Sequence, residues 1–322
     1  MSATNLIHPK LSAERNRVMR RALVLEWITI GVLATTIAAM YLAAGDSRAM
    51  RTALWEDILS LVPPLVFLIG LRIEKKPPTR DYPYGYRNIA TINFVATSSA
   101  LVILGGWLLI AAIVDLVGNH RPSIGTMQVF GRTIWAGWAM IAAVTYSVAP
   151  LVLLGRLKRS PAEILHDKTL AADADMNKAD WMTGIAAAVG VAGIGLGWWW
   201  VDPLAAAFVS ISILHDGLSQ MKRAVRDLMD HVPTGIDGRP LDVGERVKSR
   251  LRSLPWVEDA AALCRQEGRF ILVEAELKPA PGHGSPEELR AATREIRELD
   301  WKIDHVIVSP TLESRSGDDA AP

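Results

Sequence analysis

Two stretches of the chain set carboxylates among otherwise apolar residues. The first reads Asp173-Ala-Asp175-Met176-Asn177-Lys178-Ala-Asp180 and runs directly into the apolar segment Trp181 to Leu196. On a helix, Asp173, Asn177 and Asp180 fall at i, i+4 and i+7 and share one face, with the Met176 thioether beside them. The second reads Trp55-Glu56-Asp57-Ile-Leu-Ser60, just ahead of Pro63-Pro64. Glu56 and Ser60 are one turn apart, and Asp57 lies about 100° round the helix. The double proline frees backbone carbonyls near residues 59 and 60, which are further oxygen donors. Carboxylate and amide oxygens suit hard divalent cations, while a thioether adds tolerance for softer ones. The candidate metal ligands are therefore Glu56, Asp57, Ser60, Asp173, Met176, Asn177 and Asp180. A plainer reading stays open for each cluster: acids favoured by the dipole of a helix N-terminus, or acids beside a proline kink at the water interface.

Those residues need elements to carry them, and the hydrophobic pattern supplies them. The chain has 322 residues, of which 50% are hydrophobic and 21% charged, and its mean hydropathy is +0.20. Crossing a hydrocarbon core of about 30 Å takes roughly 20 helical residues. Six runs have about that length: Ala22 to Ala44, Ala53 to Ile73, Ile89 to Val117, Ile134 to Leu154, Leu170 to Leu196, and Trp200 to Met221. The expected fold is a membrane all-α bundle of six transmembrane helices followed by a small α+β cytoplasmic domain. The expected division is an N-terminal arm over 1–21, a membrane domain over 22–230, a tail domain over 231–311 and a disordered end over 312–322.

Lys and Arg concentrate in the N-terminal arm, the second loop (Lys75, Lys76, Arg80, Arg87) and the fourth (Arg156, Lys158, Arg159), which puts both termini in the cytoplasm. The first apolar run has no small-residue cleavage site and reads as a retained helix. A net charge of +1 without a basic, aromatic-interleaved stripe gives no sign of a nucleic-acid partner. The single Cys264 excludes an internal disulfide and a cysteine-rich zinc site. Trp198, Trp199 and Trp200 read as an interfacial anchor, and Glu26, His215 and Asp216 as helix-interface or edge polar residues. The chain contains no P-loop, nucleophile elbow or HExxH, so no residue is given a catalytic or cofactor-binding role. Paired intramembrane aspartates leave a membrane-embedded enzyme as a distant alternative.

After the hinge His231 to Gly238, a helix is expected over Leu241 to Leu254 and strands over Val257 to Arg265 and Phe270 to Leu277. A second helix starts at Ser285-Pro-Glu-Glu, with Ser as N-cap and Pro at the first helical position, and a third strand covers Ile303 to Val308. This α-β-β-α-β order fits a ferredoxin-like open sandwich serving dimerisation or regulation.

The arrangement resembles the cation diffusion facilitator family over about Arg20 to Pro310. Its local marks are the segment Arg72 to Tyr86, running into Pro83-Tyr84-Gly85-Tyr86-Arg87 where the family has His-Pro-Tyr-Gly-His-Gly-Arg, the Ala172-Asp173-Ala174 triplet ahead of the helix-five metal motif, and Gly197-Trp-Trp-Trp-Val-Asp202-Pro203 before helix six. The resemblance implies an antiporter, exchanging a divalent metal cation for protons and working as a homodimer in the cell membrane, expected to be a bacterial inner membrane. The family's helix-two pair falls on Glu56 and Ser60, with Asp57 as a substitute acid, and its helix-five pair on Met176 and Asp180. None of the four positions is His, which leaves Mn, Fe, Co, Mg or Zn all open as the transported ion. Tyr82, Tyr86 and Thr79 replace the family's loop ligands, and Ala261 and Val308 to Pro310 its tail ligands, so no tight tail metal site is expected. The alternative is a transport-inactive regulatory or scaffold relative of the same fold.

Overall fold

The computed structural model describes residues 12–43, 57–118, 124–129 and 132–311. Glu56, the start of the second apolar run, the first part of the N-terminal arm and the end over 312–322 lie outside the described residues. The membrane half comprises α1 (Ala13–Ala43), α2 (Val62–Glu74), α3 (Ile89–Val117), the strands β1 (Thr126–Val129) and β2 (Arg132–Trp135), α4 (Ala136–Leu165), α5 (Lys168–Gly195) and α6 (Val201–Leu228). The C-terminal half comprises α7 (Val243–Arg252), β3 (Val257–Glu267), β4 (Phe270–Pro279), α8 (Pro286–Leu299) and β5 (Ile303–Pro310).

Among the described residues, four helices are long and apolar enough to cross a membrane: Ala13–Ala38, Ile89–Val117, Ala136–Leu165 and Val201–Leu228. Four such helices make the chain a multi-pass membrane protein. The described part of α2 has 13 residues. The 28 residues of α5 are long enough, but its first half carries Lys168, Asp173, Asp175, Lys178 and Asp180. Such a segment is stable in a bilayer only where its charges meet partners inside the protein.

The contacts divide the chain into two compact units, one built on residues 12–72 and 92–224 and the other joining 73–91 to the C-terminal part from Val225 onward. In the first, α4 and α5 form a tight hairpin. His166 takes the left-handed conformation (φ 52°) that ends α4, and the Asp167 carboxylate accepts from the Leu170 backbone N–H to start α5. The two helices therefore run antiparallel with side chains interlocked along their length. A second close seam joins α3 to α6. A Cβ at Gly105 would stand 2.7 Å from the Leu214 backbone nitrogen, and one at Gly217 would stand 2.9 Å from that of Val102. Small residues permit this backbone approach, the usual route to helix packing where no hydrophobic effect drives it.

In the second unit, β4 is the central strand of the sheet β3-β4-β5, antiparallel to β3 and parallel to β5. Val247 and Leu251 of α7 and Ala292 and Ile296 of α8 pack on one sheet face with Ile271, Val273 and Leu277. Ser285 and Glu288 form a complete capping box at the start of α8. The 73–91 segment belongs to this unit through two ion pairs, Arg87–Asp304 and Arg269–Glu74, with Arg87 also 5.9 Å above the Phe270 ring. Gly268 (φ +61°) abuts the Arg87 carbonyl, where a side chain would collide.

Two outcomes follow. Gly217→Leu should wedge α3 from α6 and lower the melting temperature of the detergent-solubilised protein, at a cost of about 1–3 kcal/mol for overpacking. Burial pushes the Cys264 thiol up to about 11, so the reactive thiolate is scarce at pH 8. Iodoacetamide should label Cys264 slowly in the folded protein and quickly after denaturation, counted by mass spectrometry.

Candidate metal site in the membrane domain

The α4–α5 hairpin aims the polar half of α5 in two directions. Asp173 and Asn177 face α4: the Asp173 carboxylate closes on Lys158 Nζ, the Asn177 amide donates to the Asp173 backbone carbonyl at 3.0 Å, and the Asn177 side chain borders Gly155. Met176 and Asp180 face the other way. Met176 is fully buried in a cluster with Leu101, Leu104 and Ile213, against which Leu59 and Val62 also pack. One turn on, Asp180 Oδ1 accepts a 2.7 Å hydrogen bond from the Ser60 hydroxyl. The single face expected from spacing is thus split by its two neighbours, and only its Met176–Asp180 edge meets the segment before α2.

Of the predicted ligands, the structure therefore brings together Ser60, Asp180 and, through the packing of Leu59 and Val62, Met176. Asp57 begins the same helical turn as Ser60 and is half-buried, and its buried Oδ2 has no hydrogen-bond partner among the described residues. Asp173 and Asn177 are engaged elsewhere. Among the described residues no three His, Cys, Asp or Glu side chains gather into a ready-made cage. With Glu56 outside the described residues, the acids visible at the junction are Asp57 and Asp180.

Sequence reasoning placed Arg156, Lys158 and Arg159 in a cytoplasmic loop, and the structure corrects this. All three lie within α4, which continues through Pro161 to Leu165. Lys158 is 0% exposed and bonds Glu26 Oε2 of α1 at 3.2 Å as well as Asp173. One buried ammonium thereby ties α1, α4 and α5. A signal for it existed: Glu26, with no countercharge among its apolar neighbours in helix one, needs a cation from another helix. Beside it, Arg159 and Gln220 of α6 both contact Asp175, Gln220 at 2.8 Å. Lys178 meets Asp216 at 3.2 Å.

A membrane bundle with an oxygen-bearing junction between two helices and polar residues neutralised from within is the architecture of a transport protein. The comparisons carry the assignment further. The family model described as the Cation efflux transmembrane domain matches residues 22–229. The chain is 24% identical over 290 residues to the transporter YdbO of Bacillus subtilis, covering 88% of this chain and 92% of that one. It is 23% identical over 270 residues to the manganese efflux system protein MneS of the same species, covering 82% and 86%. With the magnetosome protein MamB of Magnetospirillum gryphiswaldense it shares 32% identity over 162 residues, half of each chain. The chain belongs to the cation diffusion facilitator family and is a metal cation transporter.

Burial separates the two basic residues that face α5. Lys158→Met leaves two buried carboxylates without their cation and should destabilise by about 3–5 kcal/mol. Arg159, whose side chain is 51% exposed, should cost at most about 1 kcal/mol when changed to Met. Thermal unfolding of both variants in one detergent, ranked against the parent, checks the contrast.

Proposed function

We propose that the chain exports a divalent metal cation in exchange for protons, through a site where the segment before α2 meets α5. Asp180 is the central ligand, with Asp57 and Ser60 from the facing segment, Glu56 ahead of them, and the Met176 thioether at the edge. The observation that carries this reading is the 2.7 Å hydrogen bond from Ser60 to Asp180, which joins two helices at two positions where the family's metal pairs fall. Asp57 supports it with a buried oxygen that lacks a hydrogen-bond partner among the described residues. A buried carboxylate oxygen is costly unless it is paired, protonated or bound to a metal.

The chemistry follows from the donors. A metal needs deprotonated carboxylates, so binding expels protons and release takes them back. That exchange couples the two ions without a separate device. Oxygen donors without imidazole favour Mn, Fe, Co or Mg over Zn, and MneS's description as a manganese efflux protein makes manganese the first ion to try. In this reading α2 and α5 complete six membrane spans with their polar faces turned inward, both termini are cytoplasmic, and the membrane is a bacterial inner membrane. The ferredoxin-like tail joins two copies into a homodimer.

The experiment is metal-driven proton movement in vesicles of purified protein. Asp180→Asn should abolish it, and Ser60→Ala should weaken metal binding several-fold while leaving turnover measurable. Wild-type flux in Asp180→Asn would remove Asp180 from the site and sink the proposal.

A further inference from the structure

Helices α5 and α6 meet at the turn from Leu196 to Trp200, and the contacts between them change character away from it. Next to the turn they touch through small residues: a Cβ at Gly190 would collide with the Asp202 carboxylate, and one at Gly193 would stand 2.7 Å from the Val201 Cβ. About four helical turns back along α5, the joining contacts are polar. Lys178 Nζ bonds Asp216 Oδ2 at 3.2 Å, and the Gln220 amide donates to Asp175 Oδ2 at 2.8 Å.

At that level each helix is fastened to a different neighbour. Gly217, next to Asp216, seats α6 on α3, where a Cβ would stand 2.9 Å from the Val102 backbone nitrogen. On the other side, Asp173–Lys158 and Asp175–Arg159 fasten α5 to α4. What joins α5 to α3 and α6 here is the pair of polar bonds and the packing of Met176 against Leu101, Leu104 and Ile213. Apolar packing has no preferred direction, whereas a hydrogen bond has a length and an angle to keep. The polar bonds therefore set how α5 sits against α6 at this level.

These bonds are also suited to breaking. The Lys178 and Asp216 side chains are 42% and 37% exposed, against 0% and 1% for Lys158 and Asp173, so separating them costs far less. Each acid keeps a neighbour when the helices part: Asp175 retains Arg159 and the field of Lys178, and Asp216 retains His215, whose Nδ1 is 3.6 Å away. Lys178 is two residues from Asp180, so a displacement of α5 at Lys178 carries Asp180 with it.

We propose that Lys178 and Asp216, with Asp175 and Gln220 beside them, form a latch that positions Asp180 during transport. Closed in this structure, it holds α5 against α6, and it opens once in each cycle as the cation is taken up or released. This rests on Asp180 as the central ligand; Lys178 and Asp216 position the helix and bind no metal.

A reducible cross-link tests the latch. Lys178→Cys and Asp216→Cys are combined in a full-length Cys264→Ser background, which has no other thiol. The purified protein is joined with a short bis-methanethiosulfonate, and metal flux is measured in vesicles. The cross-link, counted by mass spectrometry, should abolish flux, and reductant should restore it. A static brace tolerates being locked, so undiminished flux in the cross-linked protein would overturn the proposal, as would a loss that reductant does not reverse. If the double variant fails to fold, Lys178→Met and Asp216→Asn decide. Each should lower the maximal rate several-fold at an unchanged KM for the metal, and parental rates in both would count against the latch. The Asp180→Asn assay reads the ligand and the cross-link reads the movement. Flux that Asp180→Asn abolishes but the cross-link leaves intact would remove the latch alone.

Discussion

Charge buried among apolar side chains has to be answered within the protein, and the first half of α5 is where that constraint bears hardest. Five ionisable residues lie between Lys168 and Asp180. Each of the four from Asp173 onward has a partner on a different element: Asp173 on α4, Asp175 on α4 and α6, Lys178 on α6, and Asp180 on the segment before α2. The helix is therefore positioned by polar contacts on several sides. At the buried contact of Lys158 with Asp173, the exclusion of water strengthens the interaction and also makes a missing partner expensive. The bundle around α5 is in this sense organised by its charges, with apolar packing filling between them.

That organisation explains why the two sides of one polar stretch meet different partners. Asp173 and Asn177 lie on the side locked to α4 by the short His166–Asp167 connection. Met176 and Asp180 lie on the side facing Leu59, Ser60 and Val62. The buried contact with Lys158 ties Asp173 to α4. A contact between a hydroxyl and a carboxylate can be exchanged for a metal, because the hydroxyl oxygen is itself a ligand once its proton points elsewhere.

Much of the framework was legible in the sequence. The third apolar run coincides with α3 at Ile89–Val117, and the tail's element order and its Ser285 cap follow from turn residues and alternation. Other features were not legible. Helix α1 reaches back to Ala13 through Arg15, Arg17, Arg20 and Arg21, since arginine favours helix and a polarity window stops at charge. Helix α4 passes through Pro161, where a proline normally argues for an end. The β1–β2 hairpin is too short to leave a periodic trace. At the site, spacing gave the shared face, but only the neighbouring helices decide which part of it faces which partner. Lys158 was hidden for the same reason: within a basic cluster, one residue pointing inward looks like those that point out.

The glycine seam between α3 and α6 has a mechanical meaning. Where Gly105 meets Leu214 and Gly217 meets Val102, main chain lies against main chain, with no long side chain to switch rotamer and take up slack. Such a joint has almost no compliance perpendicular to its length. Any rearrangement of the bundle has to carry the two helices as a single beam, or slide them past each other along the groove the glycines leave.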